Sequence, residues 1–202
     1  SDPVRSHNSK SYLCVLGNVA IGEHCVMRRG ISLFVTGKLS FGDNVHVGDN
    51  NTIICTDSIA FGNSVRVGPN TTFMDTDYHY VLNTNDMTIK QNHGPILIGS
   101  GCWIGGNCML KKNARLPNGT IMAGPYSSLS KDLTDTIPEN SFIAGSPAKF
   151  ITSGFRRVNN KQSDAYIRSE INGLTKIILA TNTDIENFCT PQSSNSIEDE
   201  LL

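Results

Sequence analysis

The sequence predicts a parallel β-solenoid, because one pattern of 20 residues occurs three times in succession between residues 21 and 80. Each copy opens with a large apolar residue followed by glycine, at Ile21, Phe41 and Phe61. Within each copy an apolar residue recurs at every sixth position, with Gly, Asn or Asp close behind it. A fixed internal period of this kind is the signature of a repeat architecture.

The six-residue step fits a short strand followed by a tight turn. Asn and Gly tolerate the left-handed backbone conformations that such turns need. Three strands and three turns would close one triangular coil of about 18 residues, and stacked coils would pile their inward side chains into one column. The positions predicted to point inward are Ile21, Met27, Leu33, Phe41, Val47, Ile53, Phe61, Val67, Phe73, Ile98, Ile104, Leu110, Leu116, Met122 and Ser128.

Length and charge narrow the classes of protein to which the chain can belong. Its 202 residues suffice for one domain with a hydrophobic core. The formal net charge of −1 argues against a surface that binds nucleic acid or anionic membranes. No apolar run reaches the length of about 18 residues that a membrane span needs, and no signal-peptide pattern opens the sequence.

The six cysteines are predicted to be reduced thiols. None forms a C-x-x-C pair, and Cys25, Cys102 and Cys108 fall inside repeat coils, where small apolar side chains are needed. Reduced cysteines, together with the missing signal-peptide pattern, favour a cytoplasmic location.

The repeat pattern divides the chain into three segments. Residues 1–18 lead into the solenoid, with a first strand predicted at residues 12–16. Residues 19–152 carry the repeats and are interrupted by a protruding loop at residues 81–95. Loops of that length inside a compact domain are usually functional or disordered. Residues 153–202 are predicted to form a C-terminal helix and a flexible tail.

The C-terminal helix is predicted to begin with Ser163 as its N-cap and to end near Ala180. Apolar residues such as Ile167 and Ile171 fall at helical spacing in this stretch. The remainder of the chain is polar, which predicts a mobile tail.

The break in the repeat carries side chains suited to acid–base chemistry. Asp75, Asp77 and His79 lie where the third copy ends and the loop begins. The unperturbed histidine pKa of about 6.5 lets an imidazole take up a proton near neutral pH. A carboxylate two or four residues earlier could hold that imidazole in one tautomer. The structural alternative is a turn histidine whose neighbouring carboxylates cap the turn.

A second motif stands where the loop returns to the repeat. It reads N-H-G-P-I-L-I-G from Asn92 and then C-W-I-G around Trp103, the sole tryptophan, which follows His79 by 24 residues. A later segment, I-A-G-S-P-A-K, begins at Ile143. Together these motifs resemble the sugar-modifying branch of the hexapeptide-repeat acyltransferases, which includes galactoside, maltose and bacterial polysaccharide O-acetyltransferases. The resemblance covers residues 20–152.

The resemblance implies an all-β fold, a left-handed parallel β-helix, that transfers an acetyl group from acetyl-CoA to a sugar hydroxyl. His79 would remove the proton of the acceptor hydroxyl and later protonate the leaving thiolate. Asp77 is the first candidate, and Asp75 the second, for the carboxylate that orients His79. A backbone N–H near Gly105 or Gly106 would stabilise the tetrahedral oxyanion. No Ser or Cys adjoins His79 as a nucleophile, which favours direct transfer in a ternary complex.

The resemblance also implies where the two substrates bind. The phosphates of CoA would pair with Lys131, Lys149 and Arg156, since anionic groups need cationic partners. Tyr80 and His93 would contact the acceptor, although His93 fits better a loop histidine that hydrogen-bonds the backbone. The full set predicted to bind the cofactor is Trp103, Gly105, Gly106, Ala123, Gly124, Ser130, Lys131, Lys149 and Arg156.

Three positions depart from the family pattern. Tyr80 stands where a proline usually follows the catalytic histidine, and the turn at Pro125 and Tyr126 carries an extra residue. Gly106 stands where some relatives have a polar residue able to touch the cofactor. These differences affect only the details of the CoA slot.

The sequence thus predicts an acetyl-CoA-dependent O-acetyltransferase. The expected acceptor is a bacterial surface polysaccharide of capsule or lipopolysaccharide, its precursor, or sialic acid units. By the resemblance the protein is a homotrimer with its active site between subunits, and it needs no metal and no nucleic acid. Peripheral association with the polysaccharide-synthesis machinery is left open.

Four other functions remain as alternatives. An antibiotic acetyltransferase of the same fold is the nearest. A γ-class carbonic anhydrase would need three zinc-binding histidines at their own spacing, and no H-x4-H pair is present. A nucleotide-sugar N-acetyltransferase usually adds a Rossmann-like N-terminal domain. A non-catalytic β-solenoid interaction module would bind no acetyl-CoA.

Overall fold

The computed structural model describes residues 10–189. The chain divides into two compact units, the first ending at Phe155 and the second beginning at Arg156. In chain order the elements are β1 (Tyr12–Val15), β2 (Asn18–Ile21), β3 (Val26–Met27), β4 (Ser32–Val35), β5 (Lys38–Phe41), β6 (His46–Val47), β7 (Thr52–Cys55), β8 (Ser58–Phe61), β9 (Arg66–Val67), β10 (Thr72–Met74), β11 (Leu82–Asn83), β12 (Thr88–Ile89), β13 (Ile96–Ile98), β14 (Trp103–Ile104), β15 (Met109–Lys111), β16 (Arg115–Leu116), β17 (Ile121–Met122), β18 (Ser128–Leu129), β19 (Ser141–Ala144), β20 (Lys149–Ser153), α1 (Lys161–Glu170) and α2 (Ile185–Cys189).

Three sheets form the wall of the first unit. In hydrogen-bonded order, sheet A contains β1-β4-β7-β10-β15-β18, sheet B contains β16-β13-β8-β5-β2, and sheet C contains β20-β19-β17-β14-β9-β6-β3. The chain visits sheets A, B and C in turn, so each circuit is one coil and the next coil supplies the neighbouring strand. Within these sheets the strands pair in parallel, except that β20 runs antiparallel to β19, where the winding ends.

The inward side chains form one continuous column. In sheet A, for example, Ile53 pairs with Phe73 and Phe73 with Leu110, and all three side chains are fully buried. The rings of Phe41 and Phe61 stack with centroids 4.9 Å apart, and Phe73 packs edge-on against Phe61. The predicted inward positions from residue 33 to residue 122 are all buried, which confirms the six-residue step as the origin of the core.

Three of the predicted inward positions are not buried. Ile21 is 57% exposed and Met27 is partly exposed, because they belong to the first coil and no coil of the described residues lies beneath it. The prediction for Ser128 is wrong. An extra residue at the preceding corner, where Tyr126 has φ +65°, shifts the strand by one position, and Leu129 occupies the column instead.

Asparagine shapes the corners between the sheets. Asn44, Asn70 and Asn113 have φ between +56° and +67°, a left-handed conformation that asparagine adopts more readily than most residues. The Asn51 side chain donates to the Gly48 carbonyl and accepts from the backbone of the next coil, both at 2.8 Å. These bonds satisfy backbone groups that the corners would otherwise leave unpaired.

The winding is interrupted at the corner between sheets A and B that follows β10. The predicted protruding loop, residues 81–95, contains a small antiparallel hairpin of β11 and β12. The hairpin side chains are exposed, and the chain re-enters the wall at β13, which pairs with β8 of the coil below.

The second unit begins its helix earlier than predicted. The side-chain oxygen of Asn160 accepts hydrogen bonds from the Gln162 and Ser163 backbone N–H groups, so Asn160 is the N-cap of α1. The assignment of Ser163 as N-cap is therefore wrong, and Ser163 lies inside the helix. Asn160 cannot be distinguished from Ser163 by residue type, because both are favoured N-caps.

The predicted end of this helix is also wrong. α1 ends at Glu170 rather than near Ala180, and Gly173 has φ +77°, a conformation that terminates helices and that glycine adopts without steric cost. A second helix, α2, lies in the stretch predicted as tail, and the remainder of that stretch is outside the described residues. Neither of these two helices has the length and apolarity needed to cross a bilayer.

The buried cysteines provide a test of the packing. Burial raises the pKa of the Cys55 and Cys102 thiols to about 12 and also raises that of Cys108. Because the thiolate is the reactive species, we expect these three to resist iodoacetamide at pH 8 while the partly exposed Cys14 and Cys25 react. Peptide mass spectrometry measures this, with a urea-unfolded sample as control. Rapid alkylation of native Cys102 would contradict its place in the column.

Candidate active site

His79 lies at the outer edge of sheet A, on a tight turn. Its backbone N–H donates to the Asp77 carbonyl at 2.7 Å, which closes a three-residue turn around Tyr78. Tyr78 has φ +59°, and a left-handed conformation costs a non-glycine residue about 1–3 kcal/mol. The Tyr78 N–H donates to the Thr76 hydroxyl at 2.9 Å. We call residues 77–79 the His79 turn; its strain persists because neighbouring contacts over-determine it.

The N-H-G motif pairs with the chain that leads into this turn. The Asp77 N–H donates to the Asn92 carbonyl at 2.7 Å, and the Gly94 N–H donates to the Asp75 carbonyl at 2.9 Å. The Asn92 side chain also donates to the Tyr78 carbonyl at 3.2 Å. The motif therefore ties the end of the protruding loop to the segment that presents His79.

Asp75 is fully buried and its carboxylate is occupied. It accepts hydrogen bonds from the Thr56 N–H at 2.8 Å, from the Thr56 hydroxyl at 2.9 Å and from the Asp57 N–H at 2.8 Å. These bonds join the fourth coil to the corner of the third coil below it. The contacts of Asp75 are those of a turn cap, the structural alternative for this residue.

Asp77 contacts two lysines rather than an imidazole. Its carboxylate oxygens lie 2.6 Å from the Lys112 Nζ and 3.3 Å from the Lys111 Nζ. The hydrogen bond from Lys112 is the main cause that holds the pKa of Asp77 below its usual range, with a further contribution from Lys111 and against the effect of burial. Asp77 is therefore an ionised carboxylate bound to cations at the base of the His79 turn.

The His79 imidazole is exposed and makes no hydrogen bond or ion pair with any residue between 10 and 189. Neither Asp75 nor Asp77 contacts it. A second imidazole, that of His93, does approach a carboxylate: its Nδ1 lies 3.3 Å from the Asp57 Oδ2, without the alignment of a hydrogen bond. An exposed ring with both nitrogens open can accept a proton from a substrate hydroxyl.

A groove with a volume of about 540 Å³ lies at the corner between sheets C and A. Five of the residues predicted to bind the cofactor line it. Its wall also contains residues that the sequence analysis missed. The lining residues are Trp103, Gly105, Gly106, Asn107, Ile121, Met122, Ala123, Gly124, Pro125 and Phe142.

The missed apolar residues follow from the register of sheet C. Trp103 pairs with Ile121, and Ile121 pairs with Phe142, so these three form a column along the outer face. The coils below carry Arg66 and His46 in the same column. The sequence therefore carried this signal. The residue before the inward position is polar at His46 and Arg66 and becomes apolar at Trp103.

The remaining predicted cofactor residues do not line the groove. Ser130, Lys131 and Lys149 are exposed on the first unit. Arg156 belongs to the second unit, where its guanidinium donates to Glu186, with Nη2 at 3.0 Å from Oε2. That hydrogen bond is the main cause that raises the pKa of Arg156. The groove therefore contains five of the nine predicted cofactor residues and none of the three predicted phosphate contacts.

The glycine pair in the groove differs in its hydrogen bonding. The Gly105 N–H donates to the Met122 carbonyl at 2.8 Å and is occupied. The Gly106 N–H donates to no acceptor among residues 10–189. Of the two glycines predicted for the oxyanion, Gly106 is the one with a donor to offer. A Cβ on Gly124 would lie 2.4 Å from the Gly106 carbonyl oxygen, so this close approach of coils requires glycine.

The groove and His79 lie at opposite ends of the sheet A strands, that is, at the two corners that flank this sheet. Gly106 precedes β15 at the corner with sheet C, whereas His79 follows β10 at the corner with sheet B. One chain therefore does not bring the imidazole to its own groove. Within the described part of the chain, no three His, Cys, Asp or Glu side chains group as metal ligands.

No protein-family model and no curated protein matches the sequence. Solved structures do match. A hexapeptide-repeat acetyltransferase from Vibrio cholerae, solved with acetyl coenzyme A, superposes with a TM-score of 0.56 and 21% identity over 66% of this chain and 70% of that one. This chain has the hexapeptide-repeat acetyltransferase fold. The predicted fold class, a left-handed parallel β-helix, is confirmed.

Two further structures share the fold but differ in the reaction that their names give. The polysialic acid-specific acetyltransferase NeuO has a TM-score of 0.51 and 17% identity over 83% of this chain and 100% of that one. The N-acyltransferase AntD from Bacillus cereus, in complex with dTDP and 3-hydroxybutyryl-CoA, has a TM-score of 0.56 and 12% identity over 83% of this chain and 86% of that one. The shared fold therefore occurs both in a polysialic acid-specific acetyltransferase and in an N-acyltransferase.

Proposed function

We propose that this protein is an acetyl-CoA-dependent O-acetyltransferase that acts on a sugar hydroxyl. The observation that carries the proposal is the groove at the corner of sheets C and A. It gathers Trp103, Gly105, Gly106, Ala123 and Gly124, five of the nine residues that the family resemblance assigns to cofactor binding. A largely apolar groove that contains the open Gly106 N–H suits a thioester on a flexible arm.

His79 is the proposed general base. Its exposed ring takes the proton from the acceptor hydroxyl while the hydroxyl oxygen attacks the thioester carbonyl carbon. The Gly106 N–H stabilises the negative charge that develops on the carbonyl oxygen. The C–S bond then breaks, and the imidazolium returns its proton to the departing thiolate of CoA. Neither Asp75 nor Asp77 acts on the ring directly in this scheme.

The proposed active site lies between two copies of the chain. Because His79 and the groove lie at opposite ends of the sheet A strands, a second copy must supply one of them. A head-to-tail contact of this kind forms a ring when its rotation closes, and the family resemblance favours a homotrimer. Lys131, Lys149 and Arg156 remain proposed contacts for the CoA phosphates, and Tyr80 and His93 for the acceptor.

The proposed acceptor is a saccharide, in a bacterial surface polysaccharide of capsule or lipopolysaccharide, its precursor, or sialic acid units. The similarity to NeuO supports this choice, and the similarity to the N-acyltransferase AntD, solved with dTDP, supports N-acyl transfer to an amine as the second candidate. The use of acetyl-CoA and the reduced cysteines favour a cytoplasmic reaction.

Binding and transfer test the proposal separately. Calorimetry should detect acetyl-CoA, and Trp103→Ala should weaken that binding about tenfold, the equivalent of about 1.4 kcal/mol, without unfolding, since Trp103 is 44% exposed. Mass spectrometry of oligosaccharides, amino sugars and antibiotics incubated with acetyl-CoA then identifies the acceptor. No detectable CoA binding would leave a non-catalytic solenoid, and transfer only to an amine would favour the second candidate.

A further inference from the structure

Lys112 contacts two separate parts of the chain beside the His79 turn. Its Nζ lies 2.6 Å from the Asp77 Oδ2 and donates to the Gln91 carbonyl at 2.9 Å. Only 23% of the Lys112 side chain is exposed, compared with 39% for Lys111, which lies farther from Asp77. A lysine held by two oxygens and largely covered differs from an ordinary solvated surface charge.

These contacts link three elements through one side chain, in addition to the backbone bonds between the loop end and the His79 segment and the pairing of β15 with β10. Lys112 directly follows β15, the sheet A strand one coil above β10. Asp77 is the first residue of the His79 turn. Gln91 lies near the end of the protruding loop, just before the N-H-G motif. The ammonium therefore connects the rigid wall of the next coil to both chain segments that flank His79.

The His79 turn needs such a connection more than other corners do. Tyr78 is held in a left-handed conformation, and the hairpin that follows the turn is exposed. The contacts from Asn92 come from the end of the same loop rather than from another coil. Lys112 is anchored in the β-helix wall and fixes the turn and the loop end relative to the coils.

We propose that Lys112 is a positioning residue, which holds His79 in place through Asp77 and Gln91. This proposal rests on the function proposed above and assigns Asp77 a different part from the one predicted. Asp77 does not orient the imidazole ring. It binds the Lys112 ammonium, and this contact fixes the position of the backbone of the His79 turn. Lys112 itself touches neither substrate.

Replacement by methionine tests this role, because it keeps the length of the side chain and removes the ammonium. Displacing a reacting group by about 1 Å can reduce the rate by about 100-fold. We expect Lys112→Met to lower kcat about 10- to 100-fold, with an unchanged KM for acetyl-CoA, because the groove is at the other end of the sheet A strands. Lys112→Arg, which can still reach both oxygens, should recover most of the loss.

The matched control is Lys90→Met. Lys90 is exposed on the protruding loop, adjacent to Gln91, and forms no ion pair with Asp77, whose cationic contacts among residues 10–189 are Lys111 and Lys112. Lys90→Met also removes one positive charge from this region, but it leaves the contacts of Lys112 with Asp77 and Gln91 intact. It should therefore leave kcat and KM close to those of the wild type.

Hydrogen exchange gives a second measurement that does not depend on activity. Lys112→Met should increase exchange in peptides that cover residues 75–80 and 91–94, while peptides of sheets B and C and the melting temperature stay unchanged; Lys90→Met should do neither. If Lys112→Met increases exchange in these peptides but the wild-type protein transfers no acetyl group, the positioning role would be supported and the proposed function rejected. Unchanged exchange and kcat in Lys112→Met, or an equal loss of kcat in Lys90→Met, would overturn the inference.

Discussion

The His79→Ala variant is expected to remain folded and to bind CoA while its kcat for acetyl transfer falls about 10²–10⁴-fold, the usual contribution of a positioned general base. The fold should survive because the ring is exposed and bonded to no residue between 10 and 189, so its removal leaves no polar group unsatisfied. Steady-state kinetics with an accepted sugar measures kcat, and calorimetry measures CoA affinity.

The control for this variant is His24→Asn. His24 is an exposed corner residue of the first coil with φ +54°, a conformation that asparagine also adopts, and it should leave turnover unchanged. His93 is the other imidazole of the region and approaches Asp57. Near-wild-type turnover in His79→Ala, with a large loss in His93→Gln, would transfer the role of base to His93.

The repeat made most of the fold predictable from the sequence. Phe41, Phe61 and Phe73 stand at positions set by a six-residue period, and each points into the column because every coil imposes the same register on the next. Prediction failed where that register is locally broken. Ser128 was misplaced because one extra residue at Tyr126 changes which side chain points inward.

The candidate site was less predictable than the fold, because spacing along the chain does not determine side-chain partners. Asp75 and Asp77 stand four and two residues before His79, yet Asp75 points to the coil below and Asp77 to the coil above. Both partners, Thr56 and Lys112, are distant in sequence. The predicted start of helix α1 was wrong for a different reason. Asn160 and Ser163 are both good N-caps, and only the folded chain distinguishes them.

The Phe73→Ala variant is expected to lose about 3–5 kcal/mol of the free energy of unfolding, the range found when a fully buried phenylalanine is truncated. Phe73 is 0% exposed, pairs with inward residues of the coils below and above, and packs edge-on against Phe61. The strands around it are short, so the wall has limited freedom to collapse into the cavity. Urea unfolding followed by circular dichroism measures the loss.

Phe150→Ala provides the comparison, because it makes the same chemical change in a strand whose phenylalanine is 46% exposed. It should cost less than about 1 kcal/mol, as is usual for surface substitutions. In a solenoid each coil contacts only its neighbours, so a defect in β10 also weakens the coil on which the His79 turn is built. Equal stability losses in the two variants would contradict a central column, and with it the rigid wall on which the placement of His79 depends.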